Sequence, residues 1–198
     1  RDGSGESPAR DTVRTLRRVG LVLMAGLGLV AVLVMVLETL GDPGSGGLVW
    51  VLAWVLVIVV LSGVLLRWPS RFAPALVVLA AVVVGLWVWF GAAPGTWMDF
   101  MDVRGPVLPM IALAVAVPAA ALALRRLSTA GMTLVALGVA PALALVLIAL
   151  GDGSGDRAVM VLFGGAVLAG APVCLIAGIL FLVASALDRR SGRAAGGA

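Results

Sequence analysis

The chain contains no histidine, no tyrosine and no lysine, and its one cysteine is Cys174. These absences remove whole classes of chemistry. Without imidazole there is no histidine general base, no histidine metal site and no haem ligand of the usual kind; without lysine there is no Schiff base. One thiol forms no disulfide within the chain and no dithiol redox pair. A phosphate-cradling P-loop needs Gly-Lys-Ser/Thr, and a hydrolase nucleophile elbow needs a histidine partner, so neither reading of the Gly/Ser-rich turns stands. Carboxylates alone remain for catalysis. We expect no enzyme and no cofactor.

Charge is scarce too. Only 12% of residues are charged and 62% are apolar, with a mean hydropathy of +1.18, whereas soluble domains carry about a quarter charged residues. This composition is that of a membrane protein. A spanning helix needs roughly 20 apolar residues, because in hydrocarbon each backbone amide must be satisfied within its own segment. Six segments qualify: 19–40, 48–66, 72–90, 107–124, 132–150 and 158–187. The runs are continuously apolar rather than alternating, which excludes a transmembrane β-barrel. The expected fold is an all-α bundle of six transmembrane helices in one domain, residues 14–190, between polar tails at 1–13 and 191–198 read as disordered. A basic start followed by an apolar run has the look of a secretory signal. The run is too long and lacks a small-x-small cleavage site, so it is read as a retained first helix.

Arginine carries all the strong positive charge and alternates between loops. Arg1, Arg10, Arg14, Arg17 and Arg18 precede segment 1, Arg67 and Arg71 follow segment 2, Arg125 and Arg126 follow segment 4, and Arg189, Arg190 and Arg193 end the chain. The intervening loops hold only Arg104 and Arg157, beside Glu38, Asp42, Asp99, Asp102, Asp152 and Asp156. By the positive-inside rule both termini are cytoplasmic. The net charge of +4 then reports topology and contact with anionic lipid, not nucleic-acid binding.

The segment interiors hold no charge, and Glu38, near the outer end of segment 1, is expected to snorkel to the interface. Proton-driven transport is thereby disfavoured. Small residues four apart are read as helix contacts within the bundle: Ala112, Ala116 and Ala120; Ala81 and Gly85; Gly138 and Ala142; Gly165 and Ala169. Pro118, Pro141 and Pro172 are expected to kink segments 4, 5 and 6, segments 1 to 3 being read as free of internal proline. Trp50, Trp54, Trp87, Trp89 and Phe90 make an outer aromatic belt. In the loop GTWMDFMD, Thr96 and Asp99 cap a short helix that places Trp97, Phe100 and Met101 on one side, a surface anchor or a docking patch for a partner. Asp42, Asp99, Asp102 and Asp152 are weak candidates for loose outer-face cation binding, since oxygen ligands suit Ca²⁺ or Mg²⁺.

LGDPGSG at 40–46 and LGDGSG at 150–155 are near copies, and 27–42 laid on 137–152 gives eight identities in sixteen. In segments built from so few residue types this is a weak sign of duplication, and the phrase is read as two polar turns. The resulting functional expectation is a non-catalytic subunit or membrane anchor of a larger assembly in a bacterial plasma membrane. Its partners would be the bilayer and a membrane protein or a second copy. The alternative is a small permease or channel for an apolar or lipidic solute, with its path near Pro118, Pro141 and Pro172.

Overall fold

A computed structural model describes residues 8–41, 47–92, 107–152 and 166–196, which form six helices joined by short turns where the connection is described. They are α1 (Pro8–Gly41), α2 (Gly47–Arg67), α3 (Pro69–Ala92), α4 (Val107–Leu122), α5 (Leu127–Asp152) and α6 (Ala166–Gly196).

Two junctions show how the sequence cuts the helices. Pro69 lacks an N–H and biases the residue before it away from helical geometry, so α2 stops at Arg67 and Pro69 opens α3, where a missing donor does no harm. Trp68 alone lies between them. Its N–H donates to the Val64 carbonyl at 2.9 Å, and its own carbonyl accepts from Arg71 and Phe72, each at 3.2 Å. At the second junction the Leu122 carbonyl accepts from Arg125 at 2.9 Å and Arg126 at 2.8 Å, while Ala123 donates to Ala120 at 3.0 Å. The chain therefore turns two residues before the expected end at 124. α5 starts at Leu127, five residues before the expected 132.

The other ends differ as well. α1 begins at Pro8 and α6 runs to Gly196, so residues 8–13 and 191–196, assigned to disordered tails by their polarity, continue the helices outward. A helix already nucleated by its apolar part extends at little cost through Ala, Arg and Asp. α3 contains Pro74, contrary to the expectation that segments 1 to 3 hold no internal proline. Pro74 is the sixth residue of α3, so its ring removes one early hydrogen bond and the helix continues.

α4 is the axis of the bundle. It packs against every other helix, while the rest close a ring around it in the order α1, α6, α5, α3, α2. Its side chains fit that position: Ala114, Val115, Ala116, Ala119, Ala120 and Leu122 are all 6% exposed or less, and Pro118 is fully buried. Small residues let five neighbours approach one helix. The ring helices instead turn large apolar side chains outward, among them Leu29 on α1, Leu56 on α2, Val78 on α3, Val146 on α5 and Ile176 on α6. Among the described side chains of α4 none of that size is exposed. A soluble protein does not display an apolar belt of this extent. Four helices are long and apolar enough to cross a membrane, α1, α3, α5 and α6, and α2 and α4 contribute shorter apolar stretches, Val51–Arg67 and Met110–Leu122. The chain has the build of a membrane-embedded helical protein.

The ring's strongest seam is α5 on α6. A Cβ on Gly138 would meet the Ala171 carbonyl at 2.8 Å and the Leu175 amide at 2.9 Å; one on Gly178 would meet the Gly131 carbonyl and the Val135 amide at 2.9 Å. The two backbones are in contact and run antiparallel. Gly131 and Gly138 on α5, and Ala171 and Gly178 on α6, are seven residues apart, the period that keeps a seam facing its partner along a shallow left-handed crossing. Three residues beyond Gly178, the Phe181 ring of α6 is fully buried over Gly20 of α1. The α3 stripe Ala73, Leu76, Ala80, Val83 and Trp87 has the same heptad spacing and faces inward.

The small-residue pairs read from sequence divide on this point. Ala116 and Ala120 are core, with Ala112 half-buried, and Gly138 is in the seam, but Ala142, Ala81 and Gly85 face outward, with nothing within 4 Å of a Cβ at Gly85. Spacing of four was the wrong guide for α3 and α5, because the faces that pack follow seven. Gly165 lies outside the described residues. The pairing of 27–42 with 137–152 is not mirrored in packing: Gly28 approaches Val117 of α4, whereas its counterpart Gly138 abuts α6. The polar groups within the packing are satisfied locally. Buried Thr133 donates through Oγ1 to the Thr129 carbonyl at 2.9 Å, and among the described residues no buried side-chain polar atom lacks a partner.

Candidate functional site

All the charged side chains that the structure describes gather at one end of the bundle. α1 contributes Arg10, Asp11, Arg14, Arg17 and Arg18, and the two junctions supply Arg67, Arg71, Arg125 and Arg126, while α6 adds Asp188, Arg189 and Arg190. The antiparallel pairings of α1 with α6 and α6 with α5 bring these ends together. Arg67 lies 5.9 Å over the Trp68 ring, which in turn meets Phe72 with centroids 6.3 Å apart. This aromatic and cationic pairing is typical of a membrane boundary.

Within this end is a cleft of about 290 Å³ between α1, the α4–α5 turn and α6. Its polar walls come from three elements: Arg17 from α1, Arg125 and Ser128 from the turn and the start of α5, and Ser185, Asp188 and Arg189 from α6. Ala123 and Leu127 close it toward the core. The glycine seam builds this site. Ser185 lies seven residues beyond Gly178, so it continues the small-residue face of α6 into the cleft, and Ser128, three residues before Gly131, lines the cleft from α5. Ser185, Asp188 and Arg189 share a helix face at spacings of three and four. Arg17 is half-buried, whereas the other described arginines are exposed. Three arginines line the cleft with one aspartate and two serines, a donor-rich set suited to a planar or tetrahedral oxyanion.

The residues singled out by sequence lie elsewhere. Pro118 and Pro141 are buried in α4 and α5 and Pro172 is exposed on α6, so the three are not brought to one lining surface; each helix continues through its proline. Asp152 is the last residue of α5. Asp42, Asp99 and Asp102, with Trp97, Phe100 and Met101, lie outside the described residues. Among the described residues no group of three or more carboxylate or cysteine side chains gathers in one place. Cys174 is a buried, free thiol on α6 within the core cluster. The arginine cleft escaped the sequence reading because its members are far apart in the chain and each had a sufficient explanation as a topological charge. Comparison with known proteins finds no matching family, no similar curated protein and no similar solved structure.

Proposed function

We propose that the chain is a non-catalytic, six-span membrane subunit or anchor of a larger assembly, with both termini on the cytoplasmic side of a bacterial plasma membrane. The observation that carries this reading is the central α4. A bundle whose axis is filled by a helix of mostly small, apolar side chains from Ala114 to Leu122 invests its interior in packing rather than in a path or a reaction centre. The separation of Pro118, Pro141 and Pro172 weighs in the same direction, against the permease reading. The orientation rests on the arginine end and the positive-inside rule.

Native mass spectrometry after extraction in mild detergent tests the assignment. A stoichiometric protein partner or a second copy of the chain is the expected result; a monodisperse single chain that takes up a solute in vesicles sinks it. The topology has its own test. In a Cys174→Ala background, single cysteines at Ser70 and Ser128 are expected to react with an impermeant maleimide only from the cytoplasmic side. Those at Ser45, Thr96 and Ser154 are expected to react only from outside, and a reversed label at any of them refutes the six-span order.

A further inference from the structure

We propose that the cleft between α1, the α4–α5 turn and α6 binds a phosphate ester through Arg17, Arg125 and Arg189. The inference does not rest on the subunit reading. Arginines from three separate elements line one concave volume of about 290 Å³, a concentration of like charge that an anion would offset. With Asp188 counted, the lining residues carry an excess of two positive charges. Arginine's planar fork suits two phosphoryl oxygens at once, and Ser128 and Ser185 add hydroxyl donors from the opposed walls of the seam. The volume accepts a headgroup-sized anion. Ala123 and Leu127 give the inner wall an apolar surface, and Leu124, 42% exposed, sits at the rim where an acyl chain or glycerol backbone would lie. Basic pockets between helices at a membrane surface are a recognised means of holding anionic lipid headgroups, while a free phosphate ester presents the same oxyanion.

The test uses the full chain. It is placed in nanodiscs of phosphatidylcholine alone or with phosphatidylglycerol, and separately in phosphatidylcholine with inorganic phosphate, and thermal stability and retained lipid are measured. A phosphatidylglycerol-dependent rise in melting temperature identifies a lipid headgroup; a rise with inorganic phosphate identifies a soluble phosphate. In either case R17Q/R189Q is expected to weaken binding about tenfold. The double variant R10Q/R71Q, which removes the same charge from outside the cleft, is expected to leave it unchanged. R125Q/R189Q changes only exposed residues and gives the same reading should the Arg17 variant fold poorly. The absence of any ligand effect, or equal losses in the cleft and control variants, overturns the proposal.

Discussion

Gly178→Leu is expected to lower the melting temperature in mild detergent by roughly 10 °C, because overpacking of about 3 kcal/mol translates to a few degrees per kcal/mol at this chain length. Besides Val135 Cγ2 at 2.8 Å, the atoms in the way are backbone: the Gly131 carbonyl and the Val135 amide, each 2.9 Å from the new Cβ. Neither can rotate aside, so α5 and α6 must separate along the seam. Gly138→Leu meets the Ala171 carbonyl and Leu175 amide in the same way and is expected to act alike. Gly85→Leu and Gly63→Leu are the controls, since a Cβ at either position meets nothing within 4 Å. Equal losses at all four sites would show a generic intolerance of bulk and end the seam argument. The measurement is thermal unfolding of each purified variant in the same detergent.

Phe181→Ala is expected to produce a comparable loss by the opposite route. The ring is fully buried between α6 and α1, and emptying such a site costs about 3–5 kcal/mol in soluble cores. The lower part of that range applies here, because the separated helices would also sit in an apolar medium and only the lost packing counts. Gly20 supplies the diagnostic. A Cβ on Gly20 would come within 2.5 Å of the Phe181 ring, so Gly20→Ala alone is destabilising. In the Phe181→Ala background the same methyl enters vacated space and is expected to be neutral or stabilising, a coupling of about 1–3 kcal/mol in a double-mutant cycle. Additive losses would mean that α1 and α6 do not meet through this pair.

The helices were legible because their signal is cumulative. Long uncharged runs, the prolines near their ends and the alternation of arginine all agreed, and α2 and α3 were placed within a few residues of their observed limits. Helix ends at charge-rich sequence were not. Around Pro8 and at Arg189–Gly196 polarity argues for solvent, yet a polar helix extending from an apolar one needs no further apolar face. The neighbour of each helix was illegible for a different reason. Large apolar residues cover nearly every face, so composition does not distinguish a protein contact from a lipid contact, and the distinction falls to residues as slight as Gly131, Gly138 and Gly178. Their period is seven. A reading by spacings of four therefore took in Ala81 and Gly85, which face outward, and met the seam at Gly138 while pairing it with the outward Ala142. The arginine cleft was hidden by sequence distance, Arg17 and Arg189 being brought together only by the antiparallel pairing of the first and last helices.

Bilayer thickness acts on this protein unequally. At 1.5 Å per residue the sixteen residues of α4 rise about 24 Å, short of a hydrocarbon core of roughly 30 Å, whereas α1, α3, α5 and α6 each exceed that length. α4 meets little or no lipid along its buried length, so its shortfall creates no hydrophobic mismatch of its own. In the six-span arrangement proposed above, a thicker or thinner membrane would therefore act on the ring and reach α4 through a tilt of its neighbours. Two of the three elements that line the arginine cleft, α1 and α6, are ring helices, so such a tilt would reach the cleft directly.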